Sequence, residues 1–155
     1  MPSSTILDQI FNMLGIDTNI LLYAVLEECP HHDAACTYLE GLQNNTRVAI
    51  AELVLVELYL ALRNPTLFSS PLGAKEAVEV CRIFRDHPCW QLVENAKVMD
   101  EVWEEASQHN FARRRIFDLR LAKTLQAHGV TEFATANTKD FQDIGFHKVW
   151  NPLLH

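Results

Sequence analysis

The sequence predicts a single α/β domain with a parallel sheet of about five strands, flanked by helices on both faces. Short apolar or β-branched runs alternate along the chain with longer stretches of helical periodicity. Strands separated by helices form parallel sheets whose two faces are both covered. A chain of 155 residues that is 48% hydrophobic can bury one such core. We divide it into an N-terminal extension (1–13), which contains a possible short helix, and the domain proper (14–155).

The first predicted strand is the most informative, because it ends at an acid. An apolar run closes at Ile16, and Asp17 and two small polar residues then precede a helical pattern. The other four strands are predicted over residues 47–50, 90–93, 132–135 and 147–150. Ligands of open α/β sheets bind at the carboxyl ends of the strands. Asp17 is therefore a candidate site residue.

Six helices and one further segment that is a short turn or helix complete the pattern. They are predicted over residues 20–26, 31–42, 51–63, 74–85, 96–109, 116–128 and 138–141. Pro30 begins the second helix, Asn64 and Pro65 end the third, and Gly129 ends the sixth.

Glu57 lies on the third helix among apolar neighbours. The residues three and four positions away are Leu53, Val54, Leu60 and Ala61, which share its helix face. An unpaired carboxylate buried on that face is unfavourable by several kcal/mol, so a partner is expected. The alternative is that this helix is buried nearly all round and that Glu57 emerges at its rim.

Asp118 repeats this pattern at the start of the sixth helix, where it precedes Leu121 and Ala122 on the apolar face. A structural explanation exists for it, because an acid in a first helical turn is favoured by the helix dipole and by capping. Nearby arginines could also pair with it. Asp17 has a similar explanation as an N-cap, so neither acid is decisive alone.

Three acids that meet at one sheet edge would repel each other and raise each other's pKa unless a cation intervened. Carboxylate oxygens suit Mg²⁺ or Mn²⁺, with water in the remaining positions. Such an ion stabilises charge on a phosphoryl oxygen and activates water. The acids Asp17, Glu57 and Asp118 therefore predict metal-assisted phosphodiester hydrolysis.

Charge and composition limit the function classes. The net charge of −7 and the pI near 5.4 argue against a general polyanion binder. A local positive rim is nevertheless predicted from Arg113, Arg114, Arg115, Arg120 and Lys139, unless these residues only solvate a helix start. No apolar run is long enough for a membrane span, no signal peptide is recognisable, and four cysteines predict free thiols. We expect a cytoplasmic protein.

Other site chemistries have weaker support. The cluster of Cys29, His31, His32 and Cys36 lacks the second spaced ligand pair that a structural zinc site needs. A glycine-rich phosphate loop is absent from the sequence. Phosphotransfer receivers and haloacid-dehalogenase-like phosphatases need a further acid close to the first, and Asn19 stands where the phosphatases have one.

Five segments in order resemble the PIN-domain ribonucleases, and among them the VapC toxins of bacterial toxin–antitoxin pairs. The segments are 16–21 (IDTNIL), 54–58 (VLVEL), 117–122 (FDLRLA), 134–141 (ATANTKDF) and 149–153 (VWNPL). No single segment is specific, but together they extend over residues 14–153 in the family's order and spacing.

The resemblance implies Mg²⁺-dependent cleavage of single-stranded RNA, an antitoxin partner in the active-site groove, and a homodimer. By that match the metal-binding acids are Asp17, Glu57 and Asp118, and the polar residues that orient them are Thr18, Asn19 and Thr135.

One departure from the family leaves an alternative open. Many relatives have a fourth acid where this chain has Asn137, and Asp140 follows three residues later. We predict that Asp140 is a weak outer ligand and fourth catalytic acid, with Asn137 as a neutral orienting group. The alternative function is a catalytically inactive PIN-like module that binds protein or RNA.

Overall fold

The protein has a five-stranded parallel sheet with the order β3-β2-β1-β4-β5, in a computed structural model that describes residues 12–154. The strands are β1 (Met13–Ile16), β2 (Val48–Ala51), β3 (Gln91–Val93), β4 (Val130–Ala134) and β5 (Lys148–Trp150). All four strand pairs are parallel. The predicted fold class is confirmed.

Seven helices connect these strands within the described residues. They are α1 (Thr18–Val25), α2 (His32–Gly41), α3 (Glu52–Leu62), α4 (Ala74–Arg85), α5 (Met99–Ala106), α6 (Arg115–Ala127) and α7 (Thr138–Phe141). α1 begins two residues earlier than predicted because the Asp17 carboxylate caps its first backbone N–H. α5 is shorter than predicted at both ends.

β1 is the centre of the sheet, and every residue in it is buried. Gly15 provides the space for close packing there: a Cβ at this position would lie 3.1 Å from Cδ1 of Phe133 and 3.2 Å from Cγ1 of Val130. A side chain at Gly15 would therefore require these two side chains of β4 to shift by a few tenths of an ångström.

The sheet brings two polar residues to the same edge. Asp17 follows β1 and Thr135 follows β4, and these two strands are hydrogen-bonded neighbours. The Asp17 N–H continues the ladder by donating to the carbonyl oxygen of Ala134 at 2.9 Å. The fold therefore fixes Asp17 next to Thr135 before any side-chain interaction is considered.

The N-terminal boundary stays a prediction, as does the short helix predicted within residues 1–11, which lies outside the described residues. Met13 belongs to β1, and the Thr131 hydroxyl donates to Asn12 Oδ1 at 2.9 Å. No helix in the described part of the chain has the length and apolar character needed to cross a membrane.

Candidate active site

Asp17 is the buried centre of the candidate site. Its Oδ1 accepts a hydrogen bond from the Thr18 backbone N–H and its Oδ2 accepts one from the Thr135 hydroxyl, both at 2.7 Å. Only 6% of the residue is exposed, and this burial raises its pKa to about 6, against the two hydrogen bonds, which lower it. The charges of Glu57 and Asp118 raise it further.

Asn19 and Thr135 hold the loop after β4 against the start of α1. The Asn19 amide Nδ2 lies 3.4 Å from Asp17 Oδ2 and 3.4 Å from Thr135 Oγ1, and its Oδ1 accepts from the Ala136 N–H at 3.1 Å. The Asn137 N–H donates to Thr135 Oγ1 at 3.0 Å. Asn137 thus contributes its backbone to this network, while its side chain lies in an exposed position.

Glu57 reaches the same edge from α3. The Thr18 hydroxyl lies 3.1 Å from Glu57 Oε2 and 3.2 Å from the Val54 carbonyl oxygen, so one proton serves two acceptors. The expectation that Glu57 is buried in an apolar stripe is wrong, because Glu57 is exposed. Leu60, three residues on, is 63% exposed, so an apolar neighbour on this helix does not imply burial.

Asp118 lies in the first turn of α6 and is half-buried. Burial raises its pKa to about 6, and the charges of Asp140 and Glu57 act in the same direction. Arg115 and Arg114 lower it, although neither forms an ion pair with it within 4 Å. The charges of both acids therefore raise the pKa of Asp118, and those of both arginines lower it.

These side chains meet in a cleft of about 510 Å³. Its lining residues are Glu57, Ala112, Arg114, Arg115, Phe117, Asp118 and Asp140. Asp17 is not in the lining, but its charge interacts with those of Glu57 and Asp118. The structure thus brings together all four predicted acids, with Asp17 below the surface of the cleft.

Of the five predicted basic residues, two line the cleft and three do not. Arg114 and Arg115 line the cleft, whereas Arg113 lines a separate hollow with Trp103 and Phe111. Arg120 and Lys139 are exposed and do not line the cleft. The turn before α6 and its first residue therefore supply the cleft's positive charge.

The donor set fits a hard divalent cation, because four carboxylates share one region and two of them have a raised pKa. As the side chains stand, no three His, Cys, Asp or Glu residues within 12–154 surround a point that would hold an ion. Binding therefore requires carboxylate rotation, which the exposed Glu57 and Asp140 permit. The cysteine–histidine cluster does not surround a point that would hold an ion either. Its His32 Nδ1 lies 2.9 Å from the Tyr23 carbonyl oxygen.

Comparison with known proteins identifies the family. The PIN-domain family model matches residues 15–147. Ribonuclease VapC24 of Mycobacterium tuberculosis is 55% identical over 141 residues, which cover 91% of this chain and 97% of that protein. This chain belongs to the PIN-domain family, within its VapC-type ribonucleases. The resemblance of the five sequence segments is confirmed.

Solved structures share the PIN-domain fold at low identity. VapC20 of Mycobacterium tuberculosis, described as a sarcin-ricin loop cleaving toxin, superimposes with a TM-score of 0.66 at 15% identity, covering 86% of this chain and 95% of that one. VapBC2 from Rickettsia felis, bound to a DNA fragment from its promoter, gives 0.60 at 21% identity, with 90% and 98% covered. These likenesses support the fold.

Phe117 and Ala112 line the cleft but are not among the predicted site residues, and Phe117 is the aromatic one. It is 63% exposed, although it lies one helical turn before Leu121, which is buried. Its spacing from Leu121 is that of a shared helix face, so the sequence carries no signal of its exposure. Only the assembled PIN domain places this ring at the cleft.

Proposed function

We propose that this PIN-domain ribonuclease hydrolyses single-stranded or loop RNA with the help of Mg²⁺ or Mn²⁺ held by Asp17, Glu57 and Asp118. The observation that carries the proposal is the convergence of these acids and Asp140 on one cleft that also contains two arginines. Divalent-metal dependence is general in VapC-type PIN domains, and the identity of the ion is part of our proposal.

The protein's own contribution is to fix Asp17 before a metal ion arrives. Asp17 is held through both oxygens, by Thr18 and Thr135, and its carboxylate therefore has a set direction. The Thr18 hydroxyl also contacts Glu57, whose exposed side chain can leave this hydrogen bond to reach an ion. Ordering Asp17 in the folded protein lowers the entropic cost of binding.

Asp118 and the two arginines have complementary tasks. Asp118 is the more accessible of the two acids with raised pKa, and it lines the cleft together with Asp140, whose charge raises that pKa further. Arg114 and Arg115 provide positive charge for RNA phosphates beside that centre, despite the net charge of −7. A bound cation would stabilise charge on the scissile phosphate and activate water, leaving 5′-phosphate and 3′-hydroxyl ends.

We propose that the protein partner is an antitoxin. We also propose that the protein forms a homodimer and is located in the cytoplasm. VapC-type ribonucleases are the toxins of VapBC pairs, and the Rickettsia felis complex is such a pair. An acidic chain with an acidic cleft favours a basic antitoxin segment in that cleft. Coexpression with the product of the adjacent gene, followed by purification, should give a stoichiometric complex.

The decisive experiment substitutes the acids singly. Asp17→Asn and Asp118→Asn should each reduce RNA cleavage in Mg²⁺ by roughly 100-fold or more, since each removes several kcal/mol of metal-mediated stabilisation. Asp143→Asn is the matched control, because Asp143 is exposed, lies outside the cleft and has a positive φ of 64° that Asn accepts. Circular dichroism should show that all three variants are folded.

Two outcomes would count against the proposal. Cleavage that survives both substitutions would exclude these acids as metal ligands. A wild-type protein that binds RNA or an antitoxin but cuts nothing in Mg²⁺ or Mn²⁺ would favour the inactive binding module, to which Asn137 in place of a fourth acid already points.

A further inference from the structure

We infer that Phe117 is a base-binding residue, whose ring stacks on an unpaired RNA base next to the scissile phosphate. The inference rests on the proposed function and specifies how the cleft selects single-stranded RNA. Its basis is the position of one exposed aromatic ring in a cleft that is otherwise charged.

Phe117 is unlike the other phenylalanines of the described residues. Phe68, Phe133 and Phe141 are buried, and the remaining three, Phe84, Phe111 and Phe146, pack partly buried against the core. Phe117 is 63% exposed, which places it outside both groups. Its ring therefore contributes little to the folding of this domain and is available to a ligand.

The ring is presented by a rigid element. Leu119 is fully buried, and Ile116 packs against the core, so the first turn of α6 is anchored on both sides of Phe117. A site on an anchored helix holds its geometry better than one on a loop. The anchored turn thus keeps Phe117 at the lip of the cleft at little entropic cost.

The neighbours of Phe117 select the ligand class. Asp118 follows it directly, so the two Cα atoms are only about 3.8 Å apart, and Arg114 and Arg115 line the same cleft. Positive charge for phosphates together with an aromatic face for bases is the combination that binds single-stranded nucleic acid. A base paired in a duplex would not present its face to the ring, so this contact favours unpaired RNA.

Three substitutions at this position separate stacking from simple apolar contact. Phe117→Ala and Phe117→Leu should each weaken binding of a short fluorescein-labelled single-stranded RNA by about 5- to 100-fold. Phe117→Tyr, which keeps an aromatic ring, should bind nearly as well as the wild type. Ile83→Ala is the matched control, because Ile83 is 67% exposed on α4 and lines none of the described cleft.

An abasic scan locates the contact. Removing one base at a time from the RNA should reveal one position at which wild type and Phe117→Ala bind equally well, because the base that the ring would contact is gone. In steady-state cleavage of the unmodified RNA, KM should rise in Phe117→Ala and Phe117→Leu by the same factor as the dissociation constant. The KM of Phe117→Tyr should stay near that of wild type.

Binding is measured in EDTA, where nothing is cleaved, so the result is independent of nuclease activity. Unchanged RNA affinity in Phe117→Ala, full rescue by leucine, or the absence of any abasic position that removes the difference would overturn the inference. Each of these outcomes would leave the nuclease proposal intact. Loss of dimer or antitoxin binding with RNA affinity unchanged would also overturn it and assign the ring to a protein contact. Loss of cleavage in the wild type with the stacking pattern preserved would instead refute only the nuclease proposal.

Discussion

The Thr135 hydroxyl donates a 2.7 Å hydrogen bond to Oδ2 of Asp17, which joins the carboxyl ends of β4 and β1. Both residues are buried, and Asp17 has no cation within 4 Å among the ion pairs of the described residues. The hydroxyl proton is therefore committed to a carboxylate whose charge is poorly solvated. The poorly solvated charge lowers the stability of the metal-free protein. A bound cation would neutralise that charge.

Replacing Thr135 with valine tests this contact. The change keeps the shape but removes both the donor to Asp17 and the acceptor of the Asn137 N–H, so the Asp17 pKa should rise further and Mg²⁺ affinity should fall by about 10- to 100-fold. Isothermal titration calorimetry with Mg²⁺ or Mn²⁺ measures the loss. Thr131→Val is the control, because Thr131 lies on the same strand and donates to Asn12 instead. Equal affinities in the two variants would deny Thr135 an orienting role.

The raised pKa of Asp118 makes the stability of the metal-free protein depend on pH. The folded protein holds this proton up to about pH 6, whereas the unfolded chain loses it near 3.8, so this group's contribution to stability falls as pH rises through that window. Asp118→Asn, which stays neutral, should therefore be more stable than wild type, and by more at pH 7 than at pH 5, where only part of this window has been crossed.

The expected gain in melting temperature at pH 7 is about 2–4 °C, the effect of roughly 1 kcal/mol in a domain of this size, allowing for partial solvent screening. Calorimetry in EDTA at both pH values measures it. Adding Mg²⁺ at pH 7 should stabilise wild type more than the variant. A variant that is less stable than wild type at pH 7 in EDTA would show that the Asp118 charge is already compensated.

The sequence predicted the position of the acids better than their surroundings. Asp17 was predictable because an apolar run that ends at an acid before a helix places that acid at the ligand-binding edge of the sheet. Glu57 was assigned to the correct edge on an incorrect premise, since α3 is apolar even where it is exposed. Helical periodicity describes one chain segment, whereas burial depends on what packs against it.

The same limit applies to the basic residues. Arg113, Arg114 and Arg115 are adjacent in sequence, yet the turn into α6 directs the last two to the cleft and Arg113 to another hollow. The sequence therefore identified the arginine cluster but not which of its members line the cleft.

Asp140 and Asn137 compete for the role of the fourth site residue, and the structure places only Asp140 in the cleft lining. We expect Asp140→Asn to weaken Mg²⁺ binding, though less than Asp118→Asn does, because Asp140 is exposed and its charge is better solvated. Asn137→Ala should have little effect, because the Asn137 backbone N–H, rather than its side chain, donates to Thr135. A larger loss in Asn137→Ala than in Asp140→Asn would reverse this assignment.

Arg115 and Arg120 give the sharpest test of the cleft's positive charge, because both lie on α6 and only Arg115 lines the cleft. If Arg115 contacts an RNA phosphate, Arg115→Gln should reduce the salt dependence of single-stranded RNA binding by about 0.7 in the slope of log K against log salt, with weaker binding at every salt concentration. Arg120→Gln should leave the slope unchanged. Measurement in EDTA avoids the change in metal binding that follows when the Asp118 pKa rises without Arg115. Equal slopes in both variants would mean that charge along α6 attracts RNA only over a distance, and the phosphate contact would then have to come from Arg114.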